Sequence, residues 1–210
     1  MLVAFNFDGS LAESDAYALL AEEAGVAGDV ASLTEQSRTG DLALVDSIRR
    51  RVDYLEGLPE LEMKEALDRV ALDPGAADLI SALQANDHHV AIITAAPRQA
   101  VDVALTDAGV SADSVVAPML DIDQNALTGD VSGRILDATK GELLEEIAVE
   151  NEIPVDETIA VGSDDNDREM LETATDSVCF NPTSGMEQHC ENTVTSMERL
   201  HEQFEQRNLV

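Results

Sequence analysis

The chain has 210 residues, enough for one domain with a well-filled core or a core plus a small insert. Its 43 acidic residues against 12 basic give a formal net charge of −31, which excludes nucleic-acid binding because phosphate backbones need a basic partner surface. No apolar run approaches a membrane span and no basic region precedes the first strand, so the sequence reads as a cytoplasmic protein with no membrane partner.

In chain order, short apolar runs at Met1–Phe7, Val90–Thr94, Val115–Ala117, Thr158–Val161 and Ser177–Phe180 predict strands. Between them, Pro74–Ala85, Pro97–Ala108, Lys140–Glu150 and Asp167–Ala174 predict helices. Strands alternating with helices make this an α/β protein with a parallel sheet, whose ligands belong at the carboxyl ends of the strands. One region breaks the alternation. Leu11–Ala24, Val30–Arg38, Leu42–Leu55 and Pro59–Val70 all predict helices with no strand between them. This places a helical cap at 13–72 and a core of 1–12 and 73–210, with the cap over the tip of the first strand, where it excludes water. Asp121–Asp130 is turn-rich and predicts a β-hairpin; it lacks the glycine and closing glutamate of a calcium loop. Cys179 and Cys190 are too few for a disulfide framework and read as two reduced thiols.

The acidic residues are spread along the chain and the apolar pattern is intact, which describes a solvated folded surface and not a disordered arm. Only two residues are lysine, against ten arginine. Low lysine with abundant Asp and Glu resembles the proteins of halophiles that accumulate salt, in which molar salt screens self-repulsion.

The first strand ends in Asn6-Phe7-Asp8-Gly9-Ser10. Together with Ser47–Pro59, Leu127–Gly133, Thr139–Ala148 and Thr158–Gly162, in this order and spacing, it resembles the haloacid dehalogenase superfamily and, within it, the phosphoserine phosphatases. The resemblance implies a Rossmann-like core with the cap inserted after the first strand. It also implies four motifs converging on one phosphate. The nucleophile position is Asn6, where the family has Asp; an amide has no anionic oxygen to attack phosphorus. Asp8 is at the acid/base position and Lys140 at the position that balances phosphate charge. Thr94 and Ala95 hold the phosphate-cradle positions, where the family follows the hydroxyl residue with two glycines and this chain has Ala95 and Ala96. Asn166 is in register in the last motif, and Asp15 and Arg51 fall where the family holds a substrate's amino and carboxylate groups. Arg38 replaces a less polar pocket-lining residue.

The implied cofactor is Mg²⁺, at the family positions Asn6, Asp8, Ser163 and Asp167. Two of its carboxylates have become Asn6 and Ser163, which weakens or abolishes the site unless Asp164 or Asp167 turns inward. The sequence therefore points to a phosphoserine phosphatase-like protein of the serine-biosynthesis type with a degenerate site. It binds a small phosphorylated metabolite, with hydrolysis lost or very weak; the alternative is an active Mg²⁺-dependent phosphomonoesterase. Oligomeric state leaves no signal. The acidic surface carries a direct expectation: far-ultraviolet circular dichroism retains the helical signal in molar KCl and loses it in dilute buffer. A full signal without salt contradicts the halophilic reading.

Overall fold

A computed structural model describes all 210 residues. The first strand, β1 (Leu2–Phe5), is fully buried, as a strand covered on both faces must be, and this is why its sequence is an unbroken apolar run. Four helices follow with no strand between them: α1 (Ala16–Glu23), α2 (Ala27–Arg38), α3 (Leu44–Asp53) and α4 (Glu60–Leu67). Helix α5 (Ala76–Ala85) then leads into β2 (His89–Ile93), α6 (Arg98–Asp107) and β3 (Ser114–Val116). An antiparallel hairpin, β4 (Met119–Asp123) and β5 (Ala126–Ser132), precedes α7 (Lys140–Glu150), β6 (Thr158–Gly162), α8 (Arg168–Thr173), β7 (Asp176–Phe180), β8 (Asn192–Val194) and α9 (Met197–Gln206).

Six strands form one parallel sheet in the order β3-β2-β1-β6-β7-β8. Strand β1 is central, with Val3 opposite Val90 on one side and Ile159 on the other. The chain leaves β1 toward β2 on one side and later returns through β6 on the other. Sheets of this kind open a crevice at that point, beyond the carboxyl ends of the strands. Residues Asn6, Thr94 and Ser163 follow directly on β1, β2 and β6 and therefore gather there.

Several elements depart from the sequence expectation. The helix expected from Leu11 begins only at Ala16. The carbonyl of Phe7 accepts from the N–H groups of Ser10, Leu11 and Ala12, which folds this stretch into tight turns, and Asp15 Oδ1 then caps α1 by accepting from Ala18 N–H at 3.0 Å. The hairpin is longer than expected and turns at Gln124 and Asn125, both in the left-handed region at φ 49° and 63°. It leans on the helical insert: Gly57 N–H donates to Leu127 O at 2.8 Å, and Leu127 N–H donates to Leu58 O at 2.9 Å. Strand β8 and helix α9 were not anticipated. Strand β8 is three residues long, too short for periodicity, whereas α9 carried a readable stripe of Met197, Leu200 and Phe204, all buried.

The cysteines also correct the expectation of reduced thiols. Cys179 on β7 and Cys190, just before β8, form a disulfide with their Cα atoms 5.7 Å apart. Pairing of neighbouring parallel strands brings the two together, and spacing in the chain does not reveal it. No helix is long and apolar enough to cross a membrane. The two cysteines are separated by 11 positions, and a closed loop of that size contributes about 3 kcal/mol through chain entropy. Urea titrations in constant KCl should show that loss on adding dithiothreitol, and in the Cys190→Ser variant. An unmoved midpoint contradicts it.

Candidate active site

A polar cleft of about 190 Å³ opens at the carboxyl ends of β1 and β2, under α2 and α3. Its floor includes Asn6, Asp8, Thr94, Ala95 and Lys140, and its upper wall includes Asp15, Arg38 and Arg51. Asp164 and Asn166 close one side. Of the residues singled out in the sequence, only Ser163 and Asp167 lie behind the lining.

Lys140 organises the floor. It is the first residue of α7, whose start is set by a capping box between Thr139 and Glu142. The residue is only 3% exposed. It donates to Asp167 Oδ1 at 2.6 Å and to Asn6 Oδ1 at 3.0 Å. The other oxygen of Asp167 accepts from Ser163 N–H at 2.7 Å and Asp164 N–H at 3.3 Å. Gly162 makes this possible, because a Cβ there would fall 2.5 Å from Asp167 Cβ. Asn6 in turn donates from Nδ2 to the carbonyl of Asp8 at 2.8 Å. Gly9, at φ 76°, lets the loop pass close to Ser163.

Asp8 is half-buried, but its Oδ1 is shielded from water and has no partner. Burial, followed by the nearby negative charge of Asp15, holds its carboxyl well above the usual carboxylate range despite the opposing Arg51 and Lys140. A carboxylic acid that keeps its proton is suited to giving it to a leaving oxygen. Arg51 is buried, lies 4.1 Å above the ring of Tyr17, and donates from Nε to Ser47 O at 3.3 Å. Tyr17 was missed in the sequence, as were the wall residues Glu13, Thr34 and Ser37. Tyr17 lies buried behind the lining, and Thr34 and Ser37 reach the cleft only through the packing of α2.

Thr94 Oγ1 accepts from Ala96 N–H at 3.0 Å, so the strand-end turn is held by its own side chain, with Ala95 half-buried on the cleft floor. Across the seam between α2 and the loop after β6, Ser37 Oγ donates to Asn166 Oδ1 at 2.9 Å, and Arg38 Nε lies 3.3 Å from Asp164 Oδ2. Burial first, and then the charge of Asp167, push the Asp164 carboxyl up to about 6, against the pull of Lys140 and Arg38.

These donors do not suit Mg²⁺. Asn6 offers a neutral oxygen already held by an ammonium, Ser163 offers a hydroxyl, and both oxygens of Asp167 are engaged. Asp164 faces Arg38 and also accepts from Asn166 N–H. Nowhere in the chain do three or more acidic, His or Cys side chains gather as a metal site.

A doubly wound parallel sheet with a polar crevice at its switch point, a helix-borne lysine on the crevice floor and a helical insert above define a Rossmann-like α/β protein with its cleft at the carboxyl edge of the sheet. The haloacid dehalogenase-like hydrolase profile matches residues 3–172, and the chain belongs to that family. It is 37% identical to a phosphoserine phosphatase of Halobacterium salinarum, over 95% of this chain and 94% of that one. A phosphoserine phosphatase of Methanocaldococcus jannaschii is 33% identical, over 85% and 84%. A solved phosphoserine phosphatase in complex with substrate superposes with a TM-score of 0.89 at 30% identity, covering 97% of both chains.

The Asp164 carboxyl supplies a pH signature. Its folded pKa of about 6 lies above the ordinary unfolded value near 3.9, so its ionisation penalises the fold as pH rises through this window. Asp164→Asn should therefore raise stability by about 1–3 kcal/mol at pH 8, with the gain gone below about pH 4. Denaturation at the two pH values checks the sign. A loss at pH 8 contradicts it.

Proposed function

We propose that this chain is a phosphoserine phosphatase-like protein that binds a small phosphorylated metabolite in the cleft, with hydrolysis lost or very weak. The observation that carries this reading is the amide of Asn6 at the tip of β1, fixed by Lys140 at 3.0 Å in the place where the chemistry needs an anionic nucleophile. In this reading Lys140, Thr94 and Asn166 face the phosphoryl group. Arg51 faces the ligand's carboxylate, and Asp15 its amino group. Asp15 has one oxygen committed to capping α1, which leaves the other for the ligand. A neutral Asn6 removes a negative charge that would repel phosphate, so an anion fits without a metal. We read residues 13–72 as the cap that closes this cleft, and the acidic surface as an adaptation to molar salt.

A second reading, an active phosphomonoesterase, is favoured by one observation: Asp8 retains the buried, proton-holding carboxyl of a general acid. It requires water, or an unrecognised group, in place of the nucleophile. It also requires Asp164 or Asp167 to turn onto a metal in place of Asn6 and Ser163. Loss of a covalent nucleophile costs on the order of 10⁴–10⁶ in rate.

Phosphoserine hydrolysis in molar KCl with Mg²⁺ separates the two. The first reading expects turnover at least about 10⁴-fold below an ordinary enzyme rate of roughly 10 s⁻¹. Turnover within about tenfold of ordinary rates selects the second. The double variant Asn6→Asp, Ser163→Asp is expected to gain Mg²⁺ affinity by calorimetry. No gain refutes the site assignment.

A further inference from the structure

The seam between α2 and the loop after β6 carries an arginine that the arrangement of the floor does not use. Arg38 is the last residue of α2 and lies on the cleft wall. Its Nε lies 3.3 Å from Asp164 Oδ2, and this is its only ion pair. Neither Nη nitrogen donates to the protein, so the forked face of the guanidinium is free, and the side chain is 41% exposed at the mouth. The adjacent Ser37 clasps Asn166, which holds the end of α2 over the cleft and so holds Arg38 in place. Gly40 completes the clasp, since any side chain there would run into the carboxylate of Asp165.

The floor is short of positive charge for a doubly charged phosphoryl group. Lys140 has three N–H donors, and Asn6 and Asp167 take two of them. Its charge is largely answered by Asp167, 2.6 Å away. The neutral donors at Asn6 and Ser163 do not suit a divalent cation that would otherwise make up the deficit. A guanidinium fork matches an oxyanion in shape and charge, and it needs no metal.

Resting on the proposed binding of a phosphorylated ligand, we propose that Arg38 is the residue that recognises the phosphoryl group in this chain: its guanidinium exchanges Asp164 for the ligand's oxygens and supplies the positive charge that a divalent ion would provide. Asp164 is then a resident anion that occupies Arg38 until the ligand arrives and competes with it. The specificity that follows is for dianionic phosphoryl ligands, bound without metal.

The test is calorimetric titration of the native protein with inorganic phosphate, in KCl sufficient for folding and with EDTA present. Phosphate should bind, and adding Mg²⁺ in place of EDTA should leave the affinity unchanged. Arg38→Met should weaken binding by about tenfold to a hundredfold, the usual range for a lost charged hydrogen bond, and Arg38→Lys should recover part of it. Asp164→Asn should tighten binding several-fold by removing the competitor. The opposite sign matters, because an Arg38–Asp164 pair that only latched the cap would weaken binding when either partner was changed. Equal affinity in Arg38→Met, or weaker affinity in Asp164→Asn, overturns the role of Arg38 and leaves the cleft reading intact. Asn6→Asp in EDTA should also weaken phosphate binding by charge repulsion at the floor. If it does not, or if the native protein binds no phosphate, both readings fall together.

Discussion

A lysine ammonium removed from water must be neutralised where it sits, and the site depends on how Lys140 achieves this. A buried charge is tolerated only with a close partner and full hydrogen bonding. Asp167 supplies the charge and Asn6 a further oxygen. Those three residues come from the start of α7, the turn before α8 and the tip of β1. Their mutual satisfaction therefore fixes the relative positions of three elements around the crevice. Asp167 extends the same network through the N–H groups of Ser163 and Asp164, which sets the course of the loop that walls the cleft.

The chemistry available follows from which oxygens remain free. Asn6 and Ser163 put neutral groups at the ends of β1 and β6, and three nearby carboxylates are engaged. Asp167 serves Lys140, Asp164 serves Arg38, and one oxygen of Asp15 serves the start of α1. Asp8 Oδ1 and the wall residue Glu13 have no partner, and burial beside Asp15 holds the Asp8 carboxyl well above the usual range. The result is a cleft whose cations and anions nearly cancel before any ligand enters. In the proposed reading, such a site takes a ligand that carries its own charge and competes for Arg38, Arg51 and the last donor of Lys140. It does not favour a bare divalent cation.

Two further constraints steady the wall of the cleft. From the helical insert, Ser37 and Arg38 reach across to Asn166 and Asp164. On the core side, Thr183 N–H donates to the carbonyl of Ser163 at 2.9 Å, and Thr183 lies within the loop closed by Cys179 and Cys190. The loop after β6 is thus held from both directions, by polar contacts from the insert and by a covalently closed loop from the sheet edge. The hairpin β4–β5 supports the insert from beneath through its backbone bonds to residues 57 and 58.

Much of this was legible in the chain. Four apolar strands of four or five residues, the helix at Lys140–Glu150 and the strand-free stretch after β1 could be read because burial on both faces of a parallel sheet, or on one face of a helix, leaves its signature on contiguous residues. The motif residues Asn6, Asp8, Thr94, Lys140 and Asn166 were expected near one another because the family resemblance implies motifs that converge on one phosphate, and sheet geometry by itself supports this only for those at strand ends. The missing anionic oxygens at Asn6 and Ser163 were visible as identities alone. What only the tertiary structure decided concerns pairs of groups far apart in sequence. Lys140 takes Asn6 from 134 positions away, and Ser37 takes Asn166 from 129. Cys179 bonds to Cys190, and Arg38 faces Asp164. Local pattern reports burial and backbone preference, because those act on neighbours along the chain. The partner that a buried charge or thiol finds is set by the packing of whole elements, and the chain carries no periodic trace of it.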